Sequence, residues 1–168
     1  LAVTALGLSK STAASSKVSS DGQSIEAEAI VVSSFEDLDS KKALVPGKIV
    51  IYNVPFTNYS YTVQYRSNGA VYASQYGAVA SLVRSITPFS LYSVHTGSSR
   101  NASIPAGAIT IEDATMLARM QQRGHTLKLR LKLLSEFKEP ATSYNVVGEI
   151  IGSKYPQEVV LISAHIDS

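Results

Sequence analysis

Cysteine is absent from all 168 residues, which removes thiolate nucleophiles, zinc–thiolate centres and disulfide staples from the available chemistry. Charge is also sparse: 17% of residues are charged and the net charge is +2. Lys and Arg are scattered, with no block of like charge that could track a phosphate backbone, so nucleic acid is not an expected partner. No apolar stretch approaches the roughly 18 uninterrupted residues of a membrane-spanning helix, and Leu1 is not followed by a basic n-region and cleavage signature. Neither a membrane span nor an intact signal peptide is therefore expected in the sequence.

What is present is apolar enough to fold. Apolar residues make up 45% of the chain, too many for a disordered polymer, and the length suits one domain, or one domain with pieces of another. Two N-x-[ST] sequons, at Asn58 and Asn101, are candidate glycosylation sites compatible with a secretory route.

Periodicity divides the chain. Leu8 to Ser24 is Ser-rich, without helical or strand period, and reads as a linker. "IEAEAIVVSS" and "GKIVIYNVP" are β-branched runs bounded by Gly, Pro and Ser, which predicts buried strands joined by a short helical crossover in "SFEDLDSKKAL". Ala70, Ala73 and Gly77 recur at helical spacing, a small-residue face that lets a helix lie close on a sheet. "AVASLVRSI" reads as the next strand, and Pro88 to Pro105 as a long turn-rich loop.

"ITIEDATMLARMQQRG" contains a helix with Thr110 as N-cap, Asp113 three residues on, Ala114, Leu117, Ala118 and Gln121 on one face, and Gly124 as the stop. In "HTLKLRLKLL", leucines alternate with Lys128, Arg130 and Lys132, predicting a strand with one wet, basic face. Two further strands, a hairpin or meander, are expected in "YNVVGEIIG" and "EVVLISAHID". Strands alternating with helices make the fold class α/β (α+β).

The last of these runs carries the chemistry. His165 and Asp167 stand at i and i+2, so on an extended strand they project to one face. A zinc-binding imidazole uses one ring nitrogen for the metal and fixes the other N–H against a carboxylate or carbonyl. His95 and His125 have no carboxylate at ligand spacing and are expected at the surface.

"GKIVIYNVPFTNYSYTVQYRSNGAVYASQYGAVASLVRS", "YSVHTG", "IPAGAITIEDATMLARM" and "NVVGEIIGSKYPQEVVLISAHIDS" together resemble the co-catalytic zinc exopeptidases that carry an inserted protease-associated domain. The resemblance runs from about Ile25 to Ser168. It implies a peptidase-domain remnant and linker at 1–19, a protease-associated domain at 20–139, and the truncated start of a zinc-peptidase domain at 140–168. It further implies that His165 binds one of two zinc ions while Asp167 orients it without being a principal ligand. The family's bridging carboxylate, remaining ligands and glutamate base would lie past Ser168. The chain is thus expected to be a fragment that neither holds zinc tightly nor turns over. The whole protein would be a carboxypeptidase or dipeptidase acting on dipeptides or short peptides, secreted or lysosomal, and a homodimer. The competing expectation is a non-enzymatic, receptor-like or sorting module built on a protease-associated domain.

Overall fold

The computed structural model describes residues 5–7, 9–10, 24–100, 103–133 and 139–165. They fall into two units, Leu1–Phe137 and Lys138–Ser168.

In the first unit the elements are β1 (Ala5–Gly7), β2 (Ser9–Lys10), β3 (Ile25–Val32), α1 (Phe35–Ser40), a 3-10 turn (Lys42–Leu44), β4 (Ile49–Tyr52), α2 (Tyr59–Gln75), β5 (Ala80–Arg84), β6 (Ser98–Ser99), β7 (Ala106–Ile109), α3 (Ile111–Gln122) and β8 (Leu127–Leu131). A six-stranded sheet has the order β1-β7-β5-β4-β3-β8. Its four inner strands are parallel, with Val31 beside Ile51, Ile51 beside Leu82 and Leu82 beside Gly107, while β1 and β8 close the two edges antiparallel. β2 and β6 form a separate parallel pair, so within the expected linker Ser9–Lys10 is a strand; most of the remaining linker lies outside the described residues.

Strand alternation builds two cores. Ile30, Val32, Val50, Tyr52 and Val83 face α1 and α2, while Ala29, Val31, Ile49, Ile51 and Leu82 face α3. All four residues of β4 are fully buried, which is why it reads as a continuous apolar run rather than an alternating one.

The helices obey local rules. α2 begins at Tyr59, earlier than its small-residue face suggests, because Asn58 caps it by accepting the Tyr61 N–H at 2.9 Å. Its inner stripe is Thr62, Tyr65, Arg66, Gly69, Ala70 and Ala73. Gly77 is not on that stripe; it follows the helix with φ +78, the left-handed stop that glycine adopts without strain. In α3, Thr110 accepts the Asp113 N–H at 3.1 Å and Gly124 ends the helix at φ +81, as its sequence pattern predicts.

β7 was not legible in the sequence. Ala-Gly-Ala-Ile has weak strand propensity, yet all four residues are buried between β5 and β1. Pairing on both sides, and small side chains that let the helical layers approach, override that propensity.

β8 has the expected alternation, with Leu127, Leu129 and Leu131 buried and Lys128 and Arg130 exposed. Its basic face is matched across the strand pair: Glu26 stands opposite Arg130 and Glu28 opposite Lys128. Arg130 reaches Glu26 at 2.6 Å, and Glu28 is also paired with Lys48. These exposed pairs contribute little stability, but they spend the basic stripe inside the sheet.

In the second unit, residues 139–165 contain neither helix nor strand among those described. The two strands expected at Val147 to Ile151 and Val159 to Ile162 are therefore not formed. Ile150 is 99% exposed, Val160 90% and Ile162 91%. A strand persists only where its backbone groups find a ladder and its apolar face a cover, and these runs have neither within the unit.

Candidate functional site

The second unit brings His165 to the end of the Val159–Ala164 run, exposed to solvent. Asp167, expected to orient it, and Asn101, the second sequon, lie outside the described residues. No group of three or more His, Asp or Glu side chains able to hold a metal forms among the described residues. A zinc centre takes three or four protein ligands, so the described residues by themselves do not fit one.

The first unit gathers its polar side chains at the carboxyl edge of the parallel strands, where α/β folds place ligands. At the end of β5, Arg84 donates from Nη1 to Asn53 Oδ1 at 3.2 Å. Burial pulls its pKa below the usual arginine range, and the nearby Glu112 carboxylate works in the opposite direction. Tyr92 holds a left-handed backbone, φ 50, because its N–H donates to Glu112 Oε1 at 2.9 Å and its hydroxyl to Asp113 Oδ1 at 3.0 Å. The Asp113 contact raises the Tyr92 pKa.

Ser85 is buried beside them. Its Oγ donates to the Ile109 carbonyl at 2.8 Å and accepts the His95 N–H at 2.9 Å. That hydroxyl is committed to backbone groups and has no general base at its oxygen, so it is not an activated nucleophile. His95 itself is half-buried rather than a surface residue. Burial is the main cause of its lowered pKa, and the positive charge of Arg66 adds to it.

Arg66 is the fastener of the long loop. It is 5% exposed, donating to the Thr96 carbonyl at 3.0 Å and to the Tyr59 hydroxyl at 2.8 Å. A Cβ at Gly97 would come within 2.5 Å of the guanidinium carbon, so only glycine lets the loop lie on it. Sequence reasoning missed Arg66 because nothing local in "VQYRSNG" signals a contact 30 residues away. Its position on the inner stripe of α2, with Thr62, Ala70 and Ala73, was the available signal.

No protein-family model matches the sequence. Comparison with curated proteins is decisive: carboxypeptidase Q of Xenopus laevis is 51% identical over 150 residues, 87% of this chain. Carboxypeptidase Q of Bos taurus is 47% identical and that of Homo sapiens 46% identical, each over 157 residues and 91% of this chain. Over about nine-tenths of its length the chain is similar to carboxypeptidase Q. It spans about a third of the length of the curated carboxypeptidase Q relatives that it matches. Among solved structures, the peptidase M28 precursor from Shewanella amazonensis SB2B superposes with a TM-score of 0.63 at 30% identity, over 78% of this chain and 30% of that one. The mixed α/β fold of this chain is thus shared with a peptidase M28 structure.

Proposed function

We propose that this chain is part of a zinc-dependent exopeptidase that hydrolyses dipeptides or short peptides. The observation that carries the reading is the 46–51% identity to carboxypeptidase Q across about nine-tenths of the chain. In this reading residues 20–139 are a protease-associated domain whose sheet also takes in β1, the rest of 1–19 is a peptidase-domain remnant and linker, and 140–168 belong to the peptidase domain. His165 is a ligand to one of two zinc ions, with its second ring nitrogen donating to Asp167, which sets the tautomer and the ring orientation. The exposed apolar residues from Val159 to Ile162 belong to a strand of the peptidase sheet that carries His165 at its carboxyl end.

The test is zinc content and dipeptide hydrolysis of the full-length protein. His165→Ala should remove a metal ligand and nearly abolish turnover. Asp167→Asn should retain metal but lose activity by about 10 to 100-fold, the usual cost of an orienting partner. The 168-residue chain alone should bind zinc weakly and not turn over. Turnover and zinc content unchanged by both substitutions would overturn the roles given to His165 and Asp167, whereas a full-length protein that holds no zinc and does not turn over would favour the receptor-like or sorting-module reading.

Secretion or lysosomal delivery and homodimerisation are further parts of the proposal. Asn58 supports the first: it is exposed, and its cap uses Oδ1, so a glycan on Nδ2 would leave the helix cap intact. Mass spectrometry of the secreted protein should find Asn58 occupied, with Asn101 as the second site; both bare would remove that support. Sedimentation of the full-length protein tests the dimer.

A further inference from the structure

α1 and α3 cover opposite faces of the sheet, and between them, just past the carboxyl ends of β3 and β4, lies a crevice of about 310 Å³. β3 leads into α1 on one face, while α3 on the other face carries the chain to β8, the second neighbour of β3. A change of face at the carboxyl end of a parallel strand is where open α/β sheets bind small molecules. The polar lining comes from Ser33, Asp37, Lys41, Asn53, Gln121 and Gln122.

Counting donors and acceptors shows what the crevice can hold. Gln121 is held at both its oxygen and its nitrogen, accepting the Val31 N–H at 2.7 Å and donating to the Val31 carbonyl at 2.9 Å. Asp37 Oδ2 accepts from the Ser33 N–H, the Ser33 hydroxyl and Lys41 Nζ at 2.8, 3.2 and 2.9 Å, and its Oδ1 also meets Lys41 at 2.8 Å. The half-buried acceptors are thus engaged, and the one amide oxygen left over, on Gln122, stands at the exposed rim. The donors are not fully engaged. Asn53 commits Oδ1 to Arg84 and has no acceptor for its NH2 among the described residues. Gln122 is exposed and makes no hydrogen bond there either. Lys41 has three N–H donors, shared between Asp37 and a long 3.5 Å contact to the Val31 carbonyl.

We propose that this crevice binds a small organic carboxylate of about amino-acid size, held by Lys41 Nζ and by the side-chain amides of Asn53 and Gln122. Surplus donors call for an anion. Asp37 beside Lys41 leaves too little positive charge for a phosphate dianion, whereas a monoanionic carboxylate matches an ammonium flanked by amide donors. The volume suits a molecule of that size, with its apolar part against Val32 and Ala118.

The experiment is a 1H–15N NMR titration of the 168-residue chain with sodium N-acetylalaninate, with the neutral N-acetylalaninamide as control. Shifts confined to Ser33, Asn53, Gln122 and their neighbours, saturating near millimolar concentration, are expected for a site of this kind, since about 4 kcal/mol corresponds to a Kd of 1 mM. Lys41→Met should weaken binding roughly tenfold, the worth of a charged hydrogen bond. Gln122→Leu removes an exposed side chain without a hydrogen bond, leaves the fold intact and should weaken binding several-fold. Absence of shifts at these residues, equal binding of the neutral amide, tighter binding of inorganic phosphate, or binding untouched by Gln122→Leu would each overturn the proposal.

Discussion

The hydroxyl of Tyr52 donates to the carbonyl of Gly69 at 2.8 Å, and a Cβ on Gly69 would lie 2.7 Å from the edge of the Tyr52 ring. The central strand and the longest helix therefore meet through a tyrosine laid across a glycine. Burial raises the Tyr52 pKa, with Tyr65 a lesser cause, so the phenol stays protonated and remains a donor. Phe35 extends the cluster, edge-on to Tyr52 at 5.6 Å and stacked on Tyr65 at 4.5 Å.

Gly69→Ala should destabilise the fold by about 1–3 kcal/mol, because a methyl group there overpacks a core that cannot yield. Tyr52→Phe should cost about 1 kcal/mol or somewhat more, leaving the Gly69 carbonyl without that donor. Urea midpoints of both variants check this. A Gly69→Ala protein as stable as its parent would mean that the helix can back away from β4.

Gln121 takes the place of a missing strand at the edge of β3, where β8 stops pairing after Ala29 opposite Leu127. Gln121→Ala should cost about 1–3 kcal/mol by leaving the Val31 N–H and carbonyl without that partner. Gln121→Glu should be no better, since it keeps an acceptor but loses the donor. Hydrogen exchange at the Val31 amide is the direct reading, and protection at that amide should fall in both variants.

Thr110→Ala removes the cap of α3 and should lower stability by about 1 kcal/mol, with Thr110→Ser restoring most of it. Thermal unfolding of the pair distinguishes a lost cap from lost burial, because Ser recovers only the hydroxyl.

His95 adds a pH dependence. Its folded pKa lies below the usual histidine value of 6.5. Below that value the unfolded chain binds a proton that the folded chain resists, so stability falls as pH drops through the window beneath 6.5 and is fully present above it. Urea midpoints at about pH 7.5 and about pH 5 should differ more for the parent than for His95→Gln, the difference reporting this linkage. Equal differences would assign the acid sensitivity to other groups.

Several elements could be read from the sequence because their determinants are local. The cap, inner stripe and glycine stop of α3 lie within 15 residues, from Thr110 to Gly124; backbone geometry alone brings i, i+3 and i+4 together. The leucine alternation of β8 and the β-branched runs of β3, β4 and β5 have the same character. The zinc-ligating role expected of His165 rests on the resemblance of its surroundings and is part of the proposal, not of what the fold decides. Tertiary structure decided the rest. Ala106–Ile109 is a strand because β5 and β1 pair with it. Gln121 is an edge cap because Val31, 90 positions away, offers an unpaired N–H and carbonyl. Arg66 is buried and His95 half-buried because a long loop folds back over α2. Val147 to Ile151 and Val159 to Ile162 have the composition of strands, yet form none here. A strand depends on hydrogen bonds to a neighbour and on an apolar surface to cover it, and no pattern within a segment can supply either.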